Sequence, residues 1–306
     1  MPRLVSHGLL LLTSFIWGIT FVFQTTGMDE LGPYGFTAFR FLAGTIAVLP
    51  MALWERKRTS TLSIIQSAKD DQSALVWGVL FLGVLMFIGS VLQQVSLGIT
   101  SVANTAFLTT LYVPLVPLLG LVLFKRNIRG LRWMAVGIFI IGSWLMSGAS
   151  PREAVLGDMM VVIGAVFWAA HIMLVGWMAQ RTNTPFQLAF VQTLITMVLS
   201  FVVFIAFEMT TFSATWHGVM SAWPEILFAG VMSTGLGFTL QLIAQQHCSN
   251  AAAAIILSLE GVFAAVAGWI ILGQSMMVSA MIGAGFIFIA VLIVECTPEK
   301  PAAKNL

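Results

Sequence analysis

Charge is scarce in this sequence. Asp, Glu, Lys and Arg make up only 8% of its 306 residues, against roughly 25% in a soluble domain. Cysteine is rarer still. Cys248 and Cys296 are the only two, too few for a disulfide framework and at no metal-binding spacing. The four histidines, His7, His171, His217 and His247, form no HExxH pattern. No metal site and no catalytic set is therefore expected. No Lys follows a Gly, so there is no phosphate-cradling Walker loop, and ATP energy would need a separate subunit. A net charge of +2 offers no basic surface for nucleic acid. No cofactor is called for.

Apolar residues are abundant. They form 59% of the chain, and the mean hydropathy is +0.98. A soluble domain of this length has too little interior for them, whereas a bilayer lets the outer face be apolar too. A spanning helix needs roughly 20 mostly apolar residues. Ten such runs fall near 5–25, 34–54, 74–97, 101–124, 132–149, 156–178, 186–209, 223–245, 249–272 and 277–295. The breaks between them are loop chemistry, such as Gly32-Pro33, Lys125-Arg126-Asn127, Ser150-Pro151 and Asn183-Thr184-Pro185. The first run reads as a span rather than a signal peptide, because it continues to Phe23 with no small-residue cleavage site.

Orientation follows from the basic residues. With the N-terminus cytoplasmic, twelve of the 14 Lys and Arg fall on the inside. Arg152 alone falls outside, and Arg40 lies within the second span. Both termini are then cytoplasmic. The chain also repeats itself. At a shift of 148, Gly89 meets Gly237, Leu92-Gln93 meets Leu240-Gln241, and Ser101 meets Ser249. At a shift of 151, Trp17 meets Trp168 and Ala38-Phe39 meets Ala189-Phe190. Five spans make an odd repeat, so equivalent loops must lie on opposite faces. The charges agree: the basic loops 55–70 and 125–132 correspond to 206–221 and 273–280, which hold no Lys or Arg. The expected fold is an all-α membrane protein of ten transmembrane helices, arranged as two inverted five-helix repeats. Residues 1–150 form the first repeat, 151–296 the second and 297–306 a cytoplasmic tail. Inverted repeats suit alternating access.

The few polar residues inside the apolar runs mark the candidate site. Glu260 sits mid-span, where a charge costs about 2.5–3.5 kcal/mol. It is either a proton carrier and recognition acid, or a structural partner of Arg40 or of a helix end. Arg40 either snorkels outward, pairs with an acid, or contacts an anionic group of a substrate. His171 is the second titratable candidate. Gln93 and Gln241 occupy equivalent positions of the repeat, which places them either on one central cavity or in helix–helix contact. Asn104, Thr105, Thr109, Thr110 and Tyr112 give the fourth span a polar stripe, and Pro114 and Pro117 are expected to kink it. Trp17 and Trp168 lie mid-span, away from the interfaces where Trp gathers, and either stack on a substrate or pack the core.

Three motifs carry a resemblance. They are Trp17-Gly18-Ile19-Thr20-Phe21-Val22, Phe39-Arg40-Phe41-Leu42-Ala43, and Leu259-Glu260-Gly261-Val262-Phe263-Ala264-Ala265 with Gly268-Trp269 and Leu272-Gly273. Their order, the ten spans and the internal repeat together resemble the drug/metabolite transporter superfamily, in its bacterial branch with paired EamA-like domains. The resemblance implies a central cavity built mainly by spans 1–4 and 6–9, with spans 5 and 10 peripheral. It implies secondary transport of small solutes across the inner membrane. Such transport is often export of amino acids or related metabolites, by proton coupling or exchange. Two positions depart from the family pattern: Gly261 stands where Pro is common, and Gln274 where Glu is common. The expected partners are a small-molecule substrate, protons and membrane lipids. The oligomeric state stays open. Two other classes compete: a flippase for lipids or amphiphiles, and an intramembrane enzyme. The latter would need a paired nucleophile and base that the sequence does not offer.

Overall fold

The computed structural model describes residues 1–58, 72–124, 130–147, 155–274 and 278–296. Among the described residues there is no strand. In chain order the helices are α1 (Arg3–Thr26), α2 (Met28–Arg58), α3 (Gln72–Leu97), α4 (Val102–Thr109) and α5 (Tyr112–Phe124). Next come α6 (Gly130–Ser147), α7 (Val155–Ala179), α8 (Pro185–Phe207) and α9 (Phe212–Ser221). A composite helix follows: α10 (Trp223–Leu227), a π segment (Phe228–Gly237) and α11 (Phe238–Gln245). The last are α12 (Asn250–Leu257), α13 (Leu259–Leu272) and α14 (Val278–Cys296).

Eight helical stretches are long and apolar enough to cross a membrane, against the ten expected. α6 and α14 contribute only the shorter apolar stretches Trp133–Gly142 and Met281–Ala290. Side chains such as Trp144, Ile270 and Val122, 74%, 69% and 70% exposed, face outward around the bundle. An apolar exterior of this kind suits lipid. Buried hydroxyls bond back to their own helices instead of seeking water. Thr20 Oγ1 donates to the Ile16 carbonyl at 2.6 Å and Thr45 Oγ1 to that of Phe41 at 2.7 Å. Lys69, Lys125, Arg126, Arg129 and Arg152, on which much of the expected orientation rests, lie outside the described residues, as does the tail 297–306.

Glycine sets the closest helix contacts. A Cβ on Gly18 would collide with Phe263 Cβ and stand 2.9 Å from the Glu260 carbonyl oxygen. α1 therefore runs directly against α13 beside Glu260. A Cβ on Gly230 would lie 2.7 Å from the Arg40 carbonyl oxygen, so the π segment seats against α2. α6 and α14 pack on each other, where Gly142 meets the backbone of Gly283.

Two spans are broken at the same point of the repeat. α4 covers residues 102–109 and α12 covers 250–257, coinciding in the 148-residue register. Ser101 caps the first, accepting from the Asn104 N–H, and Ser249 caps the second, accepting from that of Ala252. At the other ends, Thr110 Oγ1 donates to the Phe107 carbonyl at 2.7 Å and Ser258 Oγ to that of Ile255 at 2.6 Å. In the first, Pro114 stands four residues after Thr110, where its missing N–H and its ring exclude the helical bond to the Thr110 carbonyl, so the break falls where the prolines were expected to kink the span. The break at Ser258 has no proline after it; there the Ser258 hydroxyl bonds three residues back, as that of Thr110 does in the first.

α2 and α8 are joined at both ends. Gly32 takes a left-handed backbone (φ 70°), and Pro33 follows it. The next two N–H groups, of Tyr34 and Gly35, point to the carboxylate of Glu208, with Gly35 N at 2.5 Å. A side chain at position 32 would collide with that carboxylate, which accounts for the glycine there. Burial raises the Glu208 carboxyl above its usual range, and the backbone donors oppose that shift. At the opposite end, the N–H groups of Phe186 and Gln187, which follow Pro185, point to the buried carboxylate of Glu55, with Gln187 N at 2.8 Å.

Candidate functional site

The breaks decide where the central acid sits. Glu260 falls in the first turn of α13, immediately after the break at Ser258. Tyr112 begins α5, immediately after the break at Thr110. The free N–H groups of a helix start favour a negative group, so the break gives a buried carboxylate a hospitable place. The two residues stand 148 apart and meet: Tyr112 Oη donates to Glu260 Oε1 at 3.0 Å. Equivalent positions of a duplicated chain can touch only near the axis that relates the copies. Both side chains are buried, Tyr112 at 2% and Glu260 at 4% exposure.

Around this pair lies a cavity walled by most of the central helices. α1 contributes Trp17, Thr20, Phe21 and Gln24; α2 contributes Arg40; α3 contributes Ser90 and Gln93. Thr109 and Tyr112 come from the fourth span, Trp168, His171 and Ile172 from α7. Ser233, Phe238, Gln241 and Glu260 complete the wall. α6, α8 and α14 supply none of these residues.

Arg40 is buried, does not snorkel, and pairs with no acid among the described residues. Its Nη1 donates to Gln24 Oε1 at 2.5 Å, and its guanidinium lies 4.9 Å from the Phe41 ring centroid. Its Nε has no partner among the described residues. Gln94 Nε2 reaches the Gln24 carbonyl at 3.0 Å and steadies that corner. Glu260 is likewise held by Tyr112 and not by Arg40. A permanent cation and a carboxylate thus share one chamber, each with a neutral neighbour.

The aromatic wall is a cluster. Phe238 packs tilted against Trp17 (centroids 4.8 Å apart, planes 49° apart) and stacks on Trp168 (6.0 Å, planes 11° apart), with His171 edge-on at 5.9 Å. Trp17 Nε1 donates to the Ser233 carbonyl at 3.3 Å, an oxygen presented by the π segment. Long π segments are rare and recur at functional sites. Each indole rests on a glycine. A Cβ on Gly237 would stand 2.5 Å from Trp17 Nε1, and one on Gly89 2.9 Å from Trp168 Cε2. Gly237→Ala is expected to destabilise the protein by about 1–3 kcal/mol through overpacking and to break the Trp17–Ser233 bond. Gly89→Ala should cost less. Thermal denaturation in detergent with tryptophan fluorescence would check both.

His171 and Gln192 are 3.1 Å apart (Nε2 to Oε1). With Gln192 presenting its carbonyl oxygen, Nε2 carries the hydrogen and Nδ1 is left an acceptor. Gln93 Nε2 donates to Thr109 Oγ1 at 3.1 Å, and Gln241 Nε2 to Gln245 Oε1 at 2.9 Å. Among the lining residues, Gln24 Nε2, Arg40 Nε, Ser90 Oγ, Trp168 Nε1, His171 Nδ1 and Gln241 Oε1 are buried without a hydrogen-bond partner among the described residues. An unsatisfied buried polar group costs about 1–3 kcal/mol. Concentrated in one chamber, such groups suit a solute that supplies the missing bonds.

The cavity brings together Trp17, Arg40, Gln93, Tyr112, Trp168, His171, Gln241 and Glu260 from the residues singled out in the sequence. Asn104 lies elsewhere. Its amide donates to Thr100 Oγ1 at 3.0 Å and to the Asp158 carboxylate, tying α4 to α7. Gln24, Ser90, Ser233 and Phe238 also line the cavity, beyond the residues expected from the sequence. Gln24 is a polar residue in an apolar run and was findable on that ground. Phe238 is one of 23 phenylalanines, and nothing local separates it from the rest. Among the described residues no group of His, Cys, Asp or Glu could hold a metal ion.

Comparison with known proteins gives a family and a fold. The chain matches the EamA-like transporter family twice, over residues 5–148 and 155–296. It is 27% identical over 301 residues to an uncharacterized transporter of Archaeoglobus fulgidus, covering 96% of this chain and 87% of the relative. It is 23% identical over 278 residues to the uncharacterized transporter YoaV of Bacillus subtilis, covering 89% and 90%. A solved crystal structure superimposes with a TM-score of 0.73 at 18% identity, covering 94% of this chain and 97% of the other. At that identity the likeness speaks for the fold alone.

Proposed function

The chain belongs to the EamA-like transporter family, and we propose that this membrane transporter moves a small amphipathic metabolite by alternating access between two inverted repeats. The observation that carries the reading is the chamber itself. Arg40 and Glu260, neither paired with the other, stand among tryptophan and phenylalanine faces around one cavity. An anionic group of the substrate would meet Arg40 and Gln24. An ammonium group, or a proton, would meet Glu260. An apolar body would lie on Trp17, Phe238 and Trp168. An amino acid or a related solute has this chemistry.

The inverted repeat is supported by geometry that recurs in register. The two breaks, their serine caps and their hydroxyl back-bonds coincide. Trp17 sits on Gly237 while Trp168 sits on Gly89. Counting α6 and α14 as spans gives ten; their 18 and 19 residues reach about 27–28 Å at 1.5 Å per residue. We place both termini in the cytoplasm of a bacterial cell, with the protein in the inner membrane and export as the working direction. Residues 1–150 and 151–296 are then the two halves whose exchange of conformation moves the opening from face to face.

The test is uptake into proteoliposomes from a mixed pool of amino acids and small metabolites, with and without an imposed pH gradient. Saturable uptake of one class, faster with the gradient, is expected. Uptake indifferent to the gradient would replace proton coupling with exchange or facilitated diffusion. No saturable uptake of any water-soluble solute, with movement of a labelled lipid instead, would overturn the reading in favour of a flippase.

A further inference from the structure

Helices α2 and α8 run antiparallel, and each lends a carboxylate to the start of the other. Both helices begin with proline, Pro33 after the Gly32 bend and Pro185 after Thr184. Proline fills the first helical position, and the next two N–H groups are left without carbonyl partners in their own helix. In α2 these belong to Tyr34 and Gly35, and Glu208, just past the end of α8, accepts them. In α8 they belong to Phe186 and Gln187, and Glu55, near the end of α2, accepts them. The usual local cap is missing at the start of α8: Thr184 makes no side-chain cap bond there. The carboxylate from the other helix takes its place.

The two joints are built alike. Tyr34-Gly35 and Phe186-Gln187 stand 152 residues apart, one more than the 151-residue shift that pairs Ala38-Phe39 with Ala189-Phe190, and Arg40 and Gln192 have the same spacing. Each joint therefore lies five residues from a polar group at or next to the chamber: Arg40 on α2, which lines it, and on α8 Gln192, which is outside the lining but holds the lining residue His171. Between the joints the helices are packed by rings. Phe39 meets Phe201 and Phe204 with centroids 5.3 and 6.0 Å apart, and a Cβ on Gly35 would stand 3.0 Å from Phe204 Cε2.

We infer that Glu55 and Glu208 are positioning residues that lock α2 and α8 into one strut spanning both halves of the transporter, so that Arg40 and the Gln192–His171 pair keep a fixed separation while the substrate moves. A pair tied at one end would be a gate, free to splay at the other. A pair tied at both ends by charge-assisted bonds, with aromatic packing between, has no end at which to open. Conformational change is then left to the spans broken at Thr110 and Ser258, which carry Tyr112 and Glu260. The inference rests on the alternating-access reading given above.

Distances between spin labels on the full chain in lipid nanodiscs test it. One label pair replaces Asp29 and Phe207 at the Glu208 joint; a second replaces Lys57 and Asn183 at the Glu55 joint. Each pair is expected to give one narrow distance. Glu208→Ala should broaden the first distribution roughly twofold and leave the second unchanged; Glu55→Ala should do the reverse. A general loss of stability would disturb both ends together, so the one-ended response identifies a joint. Should an alanine variant not fold, Glu208→Gln and Glu55→Gln retain one accepting oxygen and should broaden the same single end by less. Two distances at either end of the unmutated protein would show a gate and overturn the strut, as would variants that leave both widths unchanged. A third pair, at Ile99 and Ile271, reports on the broken spans. One distance there beside two intact joints would count against alternating access and leave the strut standing.

Discussion

Glu260→Gln is expected to reduce transport by at least about 100-fold, the lower end of what a positioned proton-transferring group contributes, while changing stability by less than about 1 kcal/mol. The substitution keeps the shape and leaves an oxygen to accept from Tyr112 Oη, whose present bond to Glu260 Oε1 is 3.0 Å. What it removes is the ability to change charge. Among the described residues no cation pairs with Glu260, so a neutral side chain abandons no ionic partner. Folding should therefore survive where transport does not. Tyr112→Phe separates the two roles of the pair, because it leaves the acid in place without its donor. Its transport should fall less, with a shifted pH profile. Rates in proteoliposomes beside thermal denaturation in detergent would decide. Full activity in Glu260→Gln would remove the acid from the mechanism. Loss of folding would make it a structural residue.

Arg40→Ala should raise the substrate KM about 10- to 100-fold, the equivalent of losing roughly 1.5–3 kcal/mol of charged hydrogen bonding. The maximal rate should move much less, since the guanidinium binds and does not exchange a proton. The geometry supports this asymmetry. Arg40 lies on a helix fixed at both ends, while Glu260 lies beside a break, so the cation is the stationary half of the recognition. Arg40→Lys should recover only part of the affinity, because an ammonium cannot hold Gln24 and a planar anion at once. Gln24→Ala removes the oxygen that orients the guanidinium, now 2.5 Å from Nη1, and should give a smaller rise. An unchanged KM in Arg40→Ala would assign the residue to helix packing.

Much of this was legible from composition and spacing. The all-helical membrane class follows from an apolar chain with little charge, because lipid removes the need for a wet exterior. The rarity of polar residues in the spans is also why so much of the chamber could be named in advance. A Gln, Arg, His or Glu in hydrocarbon must face protein, and in a bundle whose halves repeat, most such residues face the same interior. Asn104 obeyed the same rule and still lies elsewhere, since satisfying an amide requires a partner and Asp158 supplied one away from the cavity.

The sequence by itself determined the apolar helices of a membrane protein and the identity of the polar groups that had to be hidden. Those are consequences of transfer free energy, which is written residue by residue. Which polar groups would meet was decided only by the tertiary structure. Nothing in the order of residues says that Tyr112 and Glu260, equivalent positions in two copies, would bond to each other rather than each to its own half. Nor does it say that the ninth span breaks at Ser258 with no proline after it, or that Glu55 and Glu208 cap helices more than 100 residues away in the chain. The reason is physical. A buried polar group must find a partner, but which partner lies within about 3 Å depends on how the helices cross, and that is fixed by glycine contacts and ring packing summed over the whole bundle.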